Sequence, residues 1–129
     1  MKTTDLMLYD LTIFLGEPHK VAAICPQDMV MVAKEEETKF YRARSLTPIP
    51  LTIEMLLANG FTKFVDGYRR TFYNYVIDNN LMLDISDWED EGLKIAVGGK
   101  FRELKYVHEL QHLLRLIGLS EVANNFKIK

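Results

Sequence analysis

Residues 48–61 read P-I-P-L-T-I-E-M-L-L-A-N-G-F, and this stretch separates two regions that both have a β pattern. A proline lacks a backbone N–H donor, so the P-I-P segment cannot continue the interior of a strand. Thr52 stands where a helix prefers an N-cap hydroxyl, and Gly60 supplies the left-handed residue that commonly follows a helix. The sequence therefore predicts a connector followed by a short helix over about Ile53–Asn59, with Leu56 and Leu57 facing the core.

The region before this connector, residues 1–47, consists of short apolar runs separated by turn signals. Runs of this kind predict antiparallel strands, and so short a β segment can cover its edges by curling. We predict a small SH3-like or barrel-like antiparallel β lobe here. Its strands are expected near Leu6–Leu15, His19–Ile24, Met29–Ala33 and Phe40–Leu46.

The region after the short helix returns to a β pattern and then ends in a helical one. Three runs, Tyr68–Ile77, Leu81–Ile85 and Leu93–Val97, predict a three- or four-stranded meander. From about Arg102 to Ile117 apolar residues recur at helical spacing, which predicts a C-terminal amphipathic helix packed on the meander. The predicted fold class is α+β. We expect residues 1–129 to form a single compact domain, with residues 1–47 as its β lobe and residues 48–129 as helix, meander and closing helix.

Composition indicates one folded domain and excludes several function classes. The 129 residues include 48% apolar, 11% aromatic and 26% charged residues, which is against disorder. The net charge of -2 does not favour binding to nucleic acid or to an anionic membrane. We find no signal-peptide pattern and no apolar run of membrane-spanning length, so we expect a cytoplasmic protein without a membrane partner. The single cysteine, Cys25, excludes an intrachain disulfide.

One motif has a named chemistry: residues 108–112 read H-E-L-Q-H and match H-E-x-x-H. Two histidines one helical turn apart can bind a zinc ion, with Glu109 as general base. A catalytic zinc needs a third protein ligand, for which Glu121 is the nearest candidate beside His108 and His112. The helical wheel places both histidines opposite the apolar stripe, on a solvated face. The favoured interpretation is a chance match and no cofactor, with zinc as the alternative.

Basic and aromatic residues interleave in two segments, and this pattern occurs both in single-strand nucleic-acid binders and at protein interfaces. The near-neutral total charge favours the protein interface over nucleic acid. A plainer interpretation is that the aromatic residues fill the core and the arginines mark its rim. Trp88 joins this set because its acidic surroundings predict an exposed loop. The candidate interface residues are Tyr41, Arg42, Arg44, Arg69, Arg70, Tyr73, Tyr75 and Trp88.

Two segments carry a resemblance to a known group of proteins: P-I-P-L-T-x-E-x-L-L-x-x-G-F at 48–61 and K-Y-V-H-x-L-Q-x-L at 105–113. Over about residues 45 to 115 the chain resembles small uncharacterised proteins of phages and mobile elements from Bacteroides-type gut bacteria. The resemblance implies a β-rich first part, a meander, a closing helix and that genomic setting, and it supplies no activity. In that group the position of His112 is usually Asn, which weakens the metal interpretation.

These observations together predict a non-enzymatic phage or mobile-element accessory protein that acts by binding a host or viral protein. The first alternative is a zinc-dependent hydrolase that uses the H-E-x-x-H motif. The second alternative is a nucleic-acid-binding module. Each predicts a different ligand, so metal retention and salt-dependent binding distinguish them.

Overall fold

Two five-stranded antiparallel sheets follow one another along the chain in the computed structural model, which describes residues 1–2, 5–78, 81–97 and 99–128. The predicted α+β class is confirmed. The chain divides into two units: the first contains Met1–Pro50 and Tyr106–Asn125, and the second contains Leu51–Lys105 and Phe126–Lys129. Among the described residues, none of the helices has the length and apolar character that a membrane crossing requires.

The first unit contains strands β1 (Leu11–Phe14), β2 (Glu17–Cys25), β3 (Met29–Lys34), β4 (Glu37–Arg42) and β5 (Thr47–Pro48). Their order in the sheet is β4-β3-β2-β1-β5, and within the described residues the sheet does not close into a barrel. Alternate residues of β3 point to one face, so Val30 and Val32 are both fully buried. They join Leu6, Phe14 and Val21 in the core of this unit.

Two strands of the first unit are shorter than predicted. The first begins only at Leu11, because Asp10 donates its N–H to the Met7 carbonyl (3.2 Å) and Tyr9 has a left-handed φ of 67°. This backbone forms a turn where the sequence predicts a strand. At the other end, β4 stops at Arg42 and residues 43–45 form one turn of 3-10 helix. The predicted strand position of Arg44 is therefore wrong.

Helix α1 (Ile53–Ala58) follows the proline connector and confirms the predicted caps. The Thr52 hydroxyl accepts a hydrogen bond from the Met55 N–H at 3.3 Å. Gly60 has a φ of 92°, and the chain then turns back so that the Phe61 N–H reaches the Leu56 carbonyl at 3.1 Å. Leu56 is buried as predicted, but Leu57 is 47% exposed. The prediction that Leu57 faces the core is wrong, since a helix this short presents only a narrow buried face.

The second unit contains strands β6 (Thr62–Val65), β7 (Thr71–Asp78), β8 (Leu81–Asp87), β9 (Leu93–Val97) and β10 (Lys100–Glu103). They form a meander in the order β10-β9-β8-β7-β6. The sequence predicts a helix from Arg102 onward, whereas Arg102 and Glu103 pair with Ile95 and Lys94 of the neighbouring strand. Strand pairing therefore places these two residues in β10 and not in the predicted helix.

Helices α2 (Val107–Leu116) and α3 (Ser120–Asn124) belong to the first unit. The expectation that the last helix packs on the meander is therefore corrected: α2 lies with β1, a strand more than 90 residues earlier. Helix α2 buries Val107, Leu110 and Leu114 completely. Its first turn is capped by Glu109, whose Oε1 accepts the Tyr106 N–H at 2.9 Å.

Candidate functional site

The face of α2 that carries the H-E-x-x-H motif is largely buried, contrary to the solvated face that the helical wheel predicts. His108 is only 8% exposed and Gln111 is fully buried, while the His112 side chain is 30% exposed. The wheel correctly identifies Val107, Leu110 and Leu114 as buried, but it cannot show that a second segment covers the opposite face. In the first unit, residues 9–11 contact this polar side of the helix.

Asp10 is the centre of this contact, and it is completely buried. One carboxylate oxygen accepts the Met7 N–H at 2.7 Å and lies 2.6 Å from His112 Nε2. The other oxygen accepts Arg115 Nη1 at 2.6 Å. The Arg115 side chain is itself only 11% exposed, so this is a nearly dry ion pair with hydrogen bonds on both oxygens. The carboxylate is therefore already saturated by protein donors.

Gln111 connects three separate backbone segments through one buried amide. Its Oε1 accepts the Leu11 N–H at 3.0 Å, and its Nε2 donates to the carbonyls of Tyr9 (3.2 Å) and Ala123 (2.9 Å). A side chain that satisfies three backbone groups in a dry site has a positioning role. Gln111 therefore ties residues 9–11 and α3 to α2.

His108 differs from His112 because its ring has no charged partner at hydrogen-bonding distance among the described residues. The ring stacks on Tyr106, with centroids 5.8 Å apart, and lies edge-on to His112 at 5.6 Å. Within the described part of the chain its buried Nδ1 has no hydrogen-bond partner. Burial is the largest cause and lowers the pKa of His108; the Asp10 carboxylate opposes it, and His112 adds a smaller effect in the same direction as burial. The site therefore favours the neutral ring more than water does.

The three residues of the predicted zinc chemistry each have another contact in this structure. His112 is hydrogen-bonded to Asp10, Glu109 caps the helix, and His108 stacks on Tyr106. Glu121, the predicted third ligand, lies exposed on α3. Over residues 1–2, 5–78, 81–97 and 99–128, we find no group of three or more His, Cys, Asp or Glu side chains placed to hold a metal ion. These contacts tie α2 to the rest of the first unit, and the buried Nδ1 of His108 is left without a hydrogen-bond partner among the described residues.

A second candidate lies in the other unit, on one face of the meander. Strand pairing sets Phe64 opposite Phe72, Phe72 opposite Ser86, and Ser86 opposite Lys94. Directly opposed residues share a face, so these side chains form one row across four strands. An open face of an antiparallel sheet is normally polar, whereas Phe64 here is 52% exposed. This face of the meander therefore exposes more aromatic surface than the open face of an antiparallel sheet normally does.

Two residues of this row, Phe72 and Ser86, also line an open groove of about 290 Å³. We call it the Trp88 groove. Trp88 donates its indole N–H to the Ser86 hydroxyl at 2.8 Å, lies edge-on to Phe101 at 5.0 Å and has Lys94 Nζ over its ring at 4.2 Å. Even so, Trp88 is 40% exposed and Phe101 is 56% exposed. The residues that line the Trp88 groove are Arg69, Arg70, Thr71, Phe72, Ser86, Asp87, Trp88, Glu89 and Phe101.

A tight turn places two arginines beside this groove. Asp66 accepts the backbone N–H groups of Tyr68 and Arg70, each at 2.9 Å, and pairs with Arg70 Nε at 2.8 Å. Desolvation acts to raise the pKa of Asp66, but the hydrogen bonds from Arg70 and Tyr68 outweigh it, so that pKa lies below its usual value. Arg69 has a left-handed φ of 63° and an exposed side chain. The sequence predicts both arginines on a strand, and the structure places them in this turn.

The structure brings together only part of the predicted interface. Arg69, Arg70 and Trp88 meet at the Trp88 groove, whereas the other predicted residues lie elsewhere. Tyr41, Arg42 and Arg44 belong to the first unit, where Tyr41 is half-buried against Phe14. Tyr73 is 3% exposed, and this burial, with the Asp87 and Glu54 carboxylates as smaller causes, raises its pKa. Tyr75 is half-buried against Phe61, so the plainer interpretation of these tyrosines as core holds in the second unit.

Sequence reasoning missed two kinds of residue. Phe101 was assigned to no interface, because the helix predicted from Arg102 obscured its strand. Asp10 and Gln111 were missed because their contacts with Arg115 and Leu11, respectively, span about 100 residues along the chain. A charged residue next to the apolar run Leu11–Phe14 was the only local signal for Asp10.

Comparison with protein-family models, curated proteins and solved structures finds no match to this chain.

Proposed function

We propose that this protein is a non-enzymatic accessory protein that binds a host or viral protein through the Trp88 groove. The observation that carries the proposal is Trp88 itself. Its indole is fixed by the Ser86 hydroxyl and by Phe101, yet 40% of the side chain stays exposed. The phage or mobile-element setting is part of the proposal and rests on the resemblance of residues 45–115.

The geometry supports binding because the groove offers aromatic area at a low entropic cost. Trp and Tyr are enriched among residues that dominate protein interfaces, since they bury much surface and lose little rotamer freedom. Trp88 is already held by its hydrogen bond, so a partner does not need to order it. The exposed aromatic face around it, with Phe64 and Phe101, is the kind of patch that marks an interaction surface.

A protein partner fits the charges of the groove better than nucleic acid does. Arg70 is already paired with Asp66, and Lys94 is paired with Glu91 at 3.2 Å. Asp87 and Glu89 line the groove together with the arginines. A phosphate backbone brings charge of one sign along its whole length, and these carboxylates repel it. Mixed charge around an aromatic floor is typical of protein interfaces.

The experiment that tests this proposal is site-specific photo-crosslinking in the bacterium that carries the gene. A benzoylphenylalanine replaces Phe101 on β10, and in a matched control it replaces Phe40 on β4. The two positions are 56% and 57% exposed, and both strands lie at the edge of their sheets. We expect a discrete adduct from position 101, none from position 40, and loss of the adduct on Trp88→Ala.

The partner identified by mass spectrometry is then purified and titrated. We expect Trp88→Ala to weaken its binding at least tenfold, as for a central aromatic residue of an interface. Far-UV circular dichroism checks that the variant is folded. Equal crosslinking at both positions, or unchanged binding by the Trp88→Ala protein, contradicts the proposal.

One observation favours the zinc-dependent hydrolase as a second candidate. The Nδ1 of His108 has no hydrogen-bond partner in the described part of the chain, and burial lowers the pKa of the ring, which suits a metal ligand. The untagged protein is equilibrated with a slight excess of zinc, desalted and measured beside His108→Ala and His112→Ala. One zinc per chain that both variants lose supports the hydrolase. Retention of the same small amount by all three proteins contradicts it.

A further inference from the structure

The charges around the Trp88 groove are not all satisfied within the protein. Arg70 pairs with Asp66 at 2.8 Å and lies over the rings of Tyr68 (5.3 Å) and Phe72 (5.9 Å). Arg69, its neighbour in the same turn, is exposed. Its guanidinium makes no ion pair or side-chain hydrogen bond with any residue in the described ranges. The groove therefore presents one available cation beside its aromatic floor.

Two carboxylates, Asp87 and Glu89, line the same groove and limit what this cation can bind. Asp87 accepts the Glu89 N–H at 2.9 Å, which holds the loop next to Trp88. The Glu89 side chain is exposed on the same loop. A ligand with many negative charges meets both carboxylates, whereas a ligand with one carboxylate can direct it to Arg69 alone. A single acid placed next to an apolar group therefore fits this groove better than a run of negative charges does.

We propose that the groove binds a peptide segment of the partner in which one acidic residue adjoins a bulky apolar side chain. The apolar side chain lies on the aromatic floor formed by Phe72, Trp88 and Phe101, and the carboxylate pairs with Arg69. A guanidinium binds a carboxylate with two parallel hydrogen bonds, which gives direction as well as attraction. This inference rests on the proposed function and specifies the chemistry of its partner.

The test is a titration of the full-length 15N-labelled protein with short synthetic peptides, followed by amide chemical shifts. The probes are G-S-W-E-S-G, its basic counterpart G-S-W-K-S-G, and G-S-A-E-S-G without the apolar group. We expect the acidic Trp peptide to shift amides of residues 69–72, 86–89 and 101. It should bind about three- to tenfold more tightly than the basic peptide, because an exposed attraction replaces an exposed repulsion. The alanine peptide should bind more weakly than both Trp peptides.

Two charge-reversed variants show whether Arg69 is responsible. Arg69→Glu should invert the preference between acidic and basic peptides. Arg44→Glu, which reverses an exposed arginine of the first unit, should leave it unchanged. Equal binding of both Trp peptides at the groove overturns the inference while the proposed function stands. A preference that survives in Arg69→Glu also overturns it.

Two further outcomes are distinguishable from these. Absence of shifts with every peptide, together with a specific adduct at position 101, overturns the inference but leaves binding of a protein in place. A twelve-nucleotide oligo-dT that shifts the same amides, with affinity that falls steeply in salt, overturns both in favour of nucleic acid.

Discussion

Removing the charge of Asp10 should destabilise the first unit far more than removing a surface charge. Asp10→Asn keeps the size of the side chain but leaves Arg115, which is 11% exposed, without its counter-charge. Loss of one partner from a buried pair typically costs about 3–5 kcal/mol, because the other charge stays desolvated. The contact of the carboxylate with His112 Nε2 at 2.6 Å changes as well, because an amide replaces one of the two oxygens. We expect a loss of about 3 kcal/mol in the free energy of unfolding.

The matched control is Glu17→Gln, which removes the carboxylate of the Lys34–Glu17 pair. Those side chains are 42% and 59% exposed, so the control should lose less than about 1 kcal/mol. Urea unfolding followed by far-UV circular dichroism gives both values. The Trp88 fluorescence follows the second unit, which neither substitution touches. If Asp10→Asn loses as little stability as Glu17→Gln, the view of Asp10 as a dry structural anchor is refuted.

Three more predictions follow from the geometry. Stability should fall as the pH drops below 6.5, the ordinary pKa of histidine, because the unfolded chain takes up a proton that buried His108 does not. Urea midpoints at about pH 8 and about pH 5 should show a smaller fall in His108→Gln. Gly60→Ala should cost about 1–2 kcal/mol, since its φ is 92° and a Cβ would lie 3.2 Å from Tyr75. In thermal unfolding, Gly16→Ala isolates the backbone strain, because nothing lies within 4 Å of its Cβ position. Glu109→Ala should lose about 1 kcal/mol of stability with the helix cap, by the same amount in zinc and in chelator.

Each of these predictions has a contrary result. A pH profile that is identical in the wild-type and His108→Gln proteins means that the folded chain protonates this ring as easily as the unfolded chain. Equal losses in the two glycine variants mean that the contact with Tyr75 adds nothing to the backbone strain. A loss in Glu109→Ala that appears only with zinc present means that the carboxylate serves the metal.

Local signals in the sequence predicted the parts of the fold that depend on local chemistry. The Thr52 cap, the Gly60 turn and the strands β3 and β9 follow from residue types within a few positions, and the structure confirms them. Cap hydroxyls and left-handed glycines act over one turn, so no distant partner decides them. The same local reasoning failed at Arg102 and Glu103, whose strand partners overrode the helical pattern.

The candidate sites depended on distant partners, and this limited what the sequence could predict. The His112 side of α2 looks solvated on a helical wheel, because no residue near position 112 in the sequence indicates its contact with Asp10. Likewise, Arg69, Trp88 and Phe101 come from separate segments that only the meander brings together. Trp88 was predicted to be exposed, and it is, but its hydrogen bond to Ser86 required the three-dimensional structure.

The discontinuous first unit has a consequence for the order of events during translation. Its two segments are separated by Leu51–Lys105, so the ribosome must make most of the second unit before α2 exists. Contacts such as Leu11 to Gln111 span 100 residues, and closing so long a loop slows folding. Until α2 has been made, Asp10 cannot pair with Arg115. The Asp10 carboxylate therefore stays hydrated and the nascent β lobe is incomplete. The second unit, nearly continuous in sequence, is therefore expected to form first, although Met1–Pro50 of the first unit are made before it.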